Sequence, residues 1–223
     1  MDAKKYIELV AEQGNFTPFN IMKMIRDIMQ IEDERTLLKS KMNCHSPHLS
    51  SIVFSSEGQR LYRIFLAWHG HLMESNDPSG LKDKQYNPII GLHEHRYDIT
   101  ILPLFGEIKN VVEDNDDVQV MPDYFSFNKF NTTKMGDIKR VDQRALKVNK
   151  LNAMEPVFMH HHEVHTVAAK GLAAWVVFEG QSYEKVPEML SKEDTINVDG
   201  LYTPFRSVGD IMNHFDSFLR MVR

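Results

Sequence analysis

Residues 91–108 read GLHEHRYDITILPLFGEI. Two histidines, His93 and His95, stand one residue apart at the mouth of an apolar run that closes on Gly106. Successive side chains of a β-strand alternate between faces, so a strand through this stretch puts both imidazoles on one side. Two imidazoles on one face can share a metal ion, provided that a third ligand comes from elsewhere in the chain. Tyr97 keeps the parity of the two histidines and is expected to point inward as a hydrogen-bond donor or acid. Glu94 and Arg96 have the opposite parity and face out, unless a bulge turns the Arg96 guanidinium onto a substrate carboxylate.

The search for the third ligand leads to residues 156–180, PVFMHHHEVHTVAAKGLAAWVVFEG. An apolar strand, PVFM, runs into a polar turn, HHHE, and the chain re-enters a strand at VHTV. His165 stands at that strand start and is the expected third ligand, with His162 and His160 as rival positions. The other histidine pairs are less suited. WHGH at 68–71 runs straight into ESNDPSG and reads as a strand end. HSPH at 45–48 reads as a polar connector. Arg63, within RLYRIFLAW, is a second candidate for clamping an anion, and Trp175 and Phe178 are expected in the core. Cys44 reads as an inert thiol.

Outward from these motifs the pattern is of many short strands. SIVFSS, RLYRIFLAW, DITILPLFGEI, DVQVM, YFSFNKF, RALKVNKL, PVFMH and LAAWVVFEG are apolar or alternating. SSEG, ESNDPSG, EDNDD, TTKMGD and AAKG punctuate them as turns, which predicts an all-β barrel or sandwich. Helices do not alternate with the strands, which argues against a parallel α/β sheet. The flanks are helical. A short helix is expected over 3–12. A longer one runs to about residue 40, with Thr17 as N-cap, Pro18 at the first position, and Ile21, Met24, Ile25, Ile28 and Met29 on one face. Ser207, with Asp210 three residues on, opens a last helix whose apolar face is Ile211, Phe215, Phe218 and Leu219. The expected organisation is a helical extension over 1–44, a barrel over 45–185, and an arm and helix over 186–223 packed on it.

The 223 residues are enough for one substantial core. A net charge of −5 and the absence of a basic helix argue against a nucleic-acid partner. A single cysteine forbids an intrachain disulfide and predicts a reducing, cytoplasmic setting. No apolar run approaches the roughly 18 residues of a membrane span, so no membrane partner is expected.

The two histidine motifs, about 70 residues apart, resemble those of the cupins, the small β-barrel superfamily. The first cupin motif is HxH, then three or four residues, Glu, six residues and Gly. His93, His95 and Gly106 fill it, while Ile99 stands where the glutamate ligand belongs, with Asp98 and Thr100 beside it. In the second motif, P-x-G-x-x-H-x-x-x-N, His165 takes the ligand place. His160, His162 and Ala169 replace its proline, glycine and asparagine. HRYD at 95–98 also resembles a group of uncharacterised cupin-like proteins. The resemblance covers roughly 50–180 and implies a mainly β, cupin-like double-stranded β-helix, or jelly-roll barrel, with helices at both ends.

It further implies a three-histidine metal site of the kind found in thiol-dioxygenase-type cupins. Three neutral imidazoles suit Fe(II), Zn, Ni, Cu or Mn; the resemblance favours Fe(II). The expected function is that of a non-haem Fe(II) dioxygenase acting on a small polar or anionic substrate, positioned by Tyr97, Arg96 or Arg63. The alternatives are a divalent-metal cupin lyase, isomerase or hydrolase, or a non-catalytic small-ligand-binding or regulatory module. Since cupins often dimerise, the helical ends are candidate surfaces for a homodimer.

Overall fold

The structure, a computed structural model, describes residues 17–44, 48–68, 92–113, 124–131, 140–184, 187–191 and 202–222. The helix expected over 3–12, the strand DVQVM, His69 and His71, and the turns EDNDD and TTKMGD lie outside these residues.

Among the described residues there are three helices and eleven strands. The helices are α1 (Pro18–Ile31), α2 (Glu34–Leu37) and α3 (Val208–Met221). The strands are β1 (Lys41–Met42), β2 (Leu49–Glu57), β3 (Arg60–Ala67), β4 (Leu92–His93), β5 (Tyr97–Glu113) and β6 (Tyr124–Asn131). They continue as β7 (Arg140–Leu151), β8 (Val157–Met159), β9 (His165–Ser182), β10 (Glu188–Ser191) and β11 (Thr203–Pro204). All pairings are antiparallel. The pairings β9–β4–β10–β6–β7–β5 return to β9, so the sheet closes on itself. Closure removes the exposed edges that a strand-rich chain must otherwise protect. The expected β-barrel with helical ends is thus the observed fold class.

The backbone of the barrel is the ribbon formed by β5 and β9, paired from Tyr97↔Ser182 to Val112↔His165. The ribbon is not straight. Its register jumps between Tyr97 and Ile99 and on both sides of Phe105. Within the last jump, between Phe105 and Glu107, stands Gly106 (φ +91), and opposite it Gly171 (φ +68). A Cβ on Gly106 would lie 2.5 Å from the Ala173 Cβ. The motif glycine is therefore required by two things at once, a left-handed backbone and a close approach of β9. AAKG, expected as a turn, is part of this bend: the chain stays extended through it, and β9 is one 18-residue strand.

The bent sheet buries both faces of its central strands. Tyr62, Ile64 and Leu66 of β3, Leu102 and Leu104 of β5, and Ala174, Val176 and Phe178 of β9 pack with α1 and α3. Residues of the alternate parity, Phe65, Ala67, Ile99, Ile101, Ala173, Trp175 and Val177, form the barrel interior. Two-sided burial explains why TILPLF and LAAWVVF read as continuous apolar runs instead of alternating ones.

The helix caps are as expected. Thr17 Oγ1 accepts from Asn20 N at 3.2 Å, and Ser207 Oγ accepts from Asp210 N at 3.1 Å. The single helix expected to residue 40 is instead broken, because Glu32 is extended (ψ 152) and Asp33 caps a new four-residue turn. Ile21, Met22, Met24, Ile25 and Met29 are buried and Ile28 is partly so. The Arg26 side chain bonds to Asp216, tying α1 to α3.

The helical layer also contains a buried imidazole. His214 Nε2 lies 2.7 Å from Ser50 Oγ, and its ring packs on Trp68 and Phe205. Burial pulls its pKa from 6.5 down to about 4.

Two predictions follow from this architecture. Gly106→Ala should cost about 3 kcal/mol in urea unfolding, through strain and overlap together. Gly58→Ala, at φ +60 with nothing within 4 Å, should cost only about 1 kcal/mol; equal losses would contradict the close-approach account. The neutral form of His214 contributes stability that is complete above pH 6.5 and is lost as pH falls toward 4. The melting temperature should accordingly drop more steeply through that window in the wild type than in His214→Gln, and parallel curves would refute this.

Candidate metal centre

The bend of the ribbon creates the site. Both ends of β9 come to the short segment 93–97: His93 pairs with His165, and Tyr97 pairs with Ser182. The barrel is closed at this seam by β4, a strand of only two residues. Beyond His93 the chain leaves the sheet, and it rejoins as β5 at Tyr97. His95 thus lies in the interruption, not in the continuous strand that its parity suggested. Its backbone N–H donates to His161 O at 3.0 Å, which holds it against the HHHE turn.

His93, His95 and His165 nonetheless converge, their ligand atoms all within 4.8 Å of one another. His95 Nε2 and His165 Nε2 are hydrogen-bonded at 2.7 Å. An ion bound at about 2.0–2.1 Å by nitrogens at tetrahedral or octahedral angles needs them about 2.9–3.4 Å apart. The His95 and His165 nitrogens would have to part by a few tenths of an ångström and the widest-spaced pair, within 4.8 Å, to close by rather more, shifts within reach of side-chain rotation, so the donor set suits a divalent ion. His165 is 2% exposed, and its Nδ1 lies 2.8 Å from Asn110 Oδ1. A partner of this kind orients a ligating imidazole.

The three histidines line a cavity of about 140 Å³. Its other walls are mainly apolar and include Leu49, Ile99, Ile101 and the stacked rings of Phe65 and Trp175. Arg63 and Tyr97 also line it. Arg63 Nη2 is paired with the Glu179 carboxylate, whose other oxygen accepts from Leu61 N at 3.1 Å. Arg63 Nε is buried and has no hydrogen-bond partner among the described residues. Burial pushes the Tyr97 phenol above its ordinary pKa; Arg63 opposes the rise and Glu179 adds to it. Cys44 is buried and its thiol is pushed up to about 12, again chiefly by desolvation, so it stays protonated.

The remaining candidates lie elsewhere. Arg96 is exposed and does not line the cavity; its carbonyl accepts from Tyr183 N at 2.7 Å. Asp98 turns toward the HHHE turn, accepting from His161 N at 2.9 Å and from the Tyr183 hydroxyl at 3.0 Å. Burial alone would raise its pKa, but these bonds and the His161 ring hold it below the usual carboxylate value. Asp98 is therefore a clasp for the turn. His160 and His162 are exposed and stacked on each other, outside the cavity. Sequence reasoning missed Asn110 and Glu179. Each had a signal: a lone polar residue on the inward parity of an apolar run, in IKNVV and in WVVFE respectively.

No family model matches the chain, and no curated protein matches it. Solved structures do. The chain is similar to Fe(II)-HppE with the alternative substrate (S)-1-HPP, at 11% identity and a TM-score of 0.34, over 59% of this chain and 49% of that one. It is similar to hydroquinone 1,2-dioxygenase from Sphingomonas sp. TTNP3 with 4-hydroxybenzoate bound, at 13% and 0.35, over 60% and 67%. It is similar to the DMSP lyase DddQ from Ruegeria pomeroyi DSS-3, at 12% and 0.34, over 63% and 50%. The chain spans about half the length of HppE and of DddQ. No helix of the described residues is long and apolar enough to cross a membrane.

The Arg63–Glu179 pair makes a stability prediction. Glu179→Ala leaves a buried guanidinium uncompensated and the Leu61 N–H without its acceptor, at a cost of about 3 kcal/mol. Chemical denaturation measures this; a loss under about 1 kcal/mol would show that solvent already screens the pair.

Proposed function

We propose that the chain is a metal-dependent enzyme of cupin type, most concretely a non-haem Fe(II) dioxygenase acting on a small polar or anionic substrate. The observation that carries this reading is the convergence of three imidazoles, within 4.8 Å of one another, on the wall of an otherwise apolar cavity. Three protein ligands leave coordination positions open. His93, His95 and His165 hold the ion, which when bound supplies Lewis acidity and, as Fe(II), redox reactivity toward dioxygen.

The chain's own side chains do the rest. Imidazole ligands add no negative charge, and among the described residues the charged side chains at the cavity are Arg63, on its wall, and its partner Glu179. Arg63, which lines the cavity, offers its guanidinium to an acceptor on the substrate, while Glu179 fixes the guanidinium plane. Tyr97 keeps its proton at neutral pH and shares it with the Glu179 carboxylate, so it serves as a hydrogen-bonding group on the cavity wall, not as a base. Phe65, Trp175 and the isoleucines exclude water from the reacting end. A cavity of about 150 Å³ accommodates a molecule the size of benzene, which suits a small substrate or the reacting end of one. Arg96, outside the cavity, has no part in this scheme.

The deciding measurement is elemental analysis of untagged protein, with His93→Ala and His165→Ala in parallel, after reconstitution with Fe(II). Near-stoichiometric metal in the wild type and at least a tenfold weaker binding in both variants is expected. Wild-type protein that takes up no metal would end the proposal. Oxygen consumption by the loaded protein then separates the dioxygenase from a Lewis-acid lyase, isomerase or hydrolase, which needs no oxygen.

A further inference from the structure

We infer that Asn110 and Met159 act as positioning residues that fix which ring nitrogen of His165 is offered to the ion. The inference rests on the three-histidine reading above. Three strands contribute: His165 opens β9, Asn110 lies in the far half of β5, and Met159 ends β8. β8 pairs with the opposite end of β5, at Ile99–Ile101. The roll of the ribbon is what brings Asn110 round to Met159.

All three side chains are buried, at 2%, 3% and 2% exposure in that order. Asn110 Oδ1 lies 2.8 Å from His165 Nδ1, and Asn110 Nδ2 lies 3.2 Å from Met159 Sδ. A carboxamide can be turned over, exchanging its donor and acceptor ends. The thioether removes that freedom, because sulfur carries lone pairs and no hydrogen, so only the NH₂ end can face it. Oδ1 must then face the imidazole. Nδ1 must therefore carry the proton, and Nε2 must carry the lone pair on the side of His93 and His95. With the amide reversed, its NH₂ would meet Nδ1. The proton would then move to Nε2, where it blocks the ion. Met159 thus acts on His165 through Asn110. The same Oδ1 acceptor makes the imidazole a stronger ligand.

The test combines two readouts: the His165 tautomer by imidazole ¹⁵N NMR on metal-free protein, and Zn(II) affinity by competition with a chromophoric chelator. In the wild type, His165 should be the Nδ1–H form. Asn110→Leu should lose that preference and weaken Zn(II) binding about 10–100-fold. Met159→Leu, close in volume and expected to fold, should populate the Nε2–H form and weaken binding by up to about tenfold. Asn110→Asp should restore the Nδ1–H form, since a carboxylate accepts from either face. Adding Met159→Leu to Asn110→Asp should then change neither readout. If Met159→Leu weakens Zn(II) equally in both backgrounds, Met159 acts by packing alone and the inference fails. It fails as well if His165 is Nε2–H in the metal-free wild type. Absence of Zn(II) binding in every variant, with the tautomers as expected, would instead reject the metal reading and leave the relay standing.

Discussion

The structure depends on one steric constraint: two long antiparallel strands must fold sharply across each other at Gly106 and Gly171. A twisted ribbon of 17 or 18 residues left straight would span far more than the width of a small domain. The bend halves its reach and gives it an inside and an outside. The inside becomes the barrel lumen. The outside becomes the floor on which α1 and α3 lie. Ala173 is the tolerance of the arrangement, since its methyl group occupies the space a side chain on residue 106 would need.

The site is a consequence of that bend more than of any local motif. HxH alone places two imidazoles near each other. The third arrives because the ribbon returns β9 to the segment from which β5 departs. The same return brings Tyr97, Arg63 and Glu179 into one buried group, and it carries Asn110 to the back of His165. The charged residues are arranged in opposition: Arg63 and Glu179 satisfy each other inside, while Asp98 is spent outside on the backbone of the histidine turn. Asp98 stands between Tyr97 and Ile99, which both line the cavity, so strand alternation alone points its carboxylate away from the imidazoles.

Much of this was legible in the sequence. The punctuated apolar runs announced an all-β barrel or sandwich. The caps at Thr17 and Ser207 marked the helices. The histidine spacing singled out the three residues that converge. Arg63 and Arg96 were both candidates for holding the substrate, and the structure puts Arg63 on the cavity wall and Arg96 outside it. The errors have physical causes. AAKG has turn composition, but Gly171 serves a bend within pairing, and only the partner strand reveals that. The helix break at Glu32 lacks glycine or proline, so nothing local announces it. Asn110 and Glu179 were single polar letters in apolar runs, and their meaning resides in partners on other strands, Met159 and His165 for one, Arg63 and Leu61 for the other.

The pairing of Tyr97 with Ser182 and of Val112 with His165 has a kinetic meaning as well. These contacts join positions far apart along the chain, so each carries a large loop-closure cost before any contact energy returns it. The ribbon is therefore a slow element to assemble, and its Tyr97–Ser182 end, which closes the longer loop, registers after its Val112–His165 end. A nascent chain already contains His93 and His95 long before it contains His165, and it cannot set the bend until β9 is complete. Convergence of the imidazoles is in that sense a late event in folding, a report that the whole topology has closed.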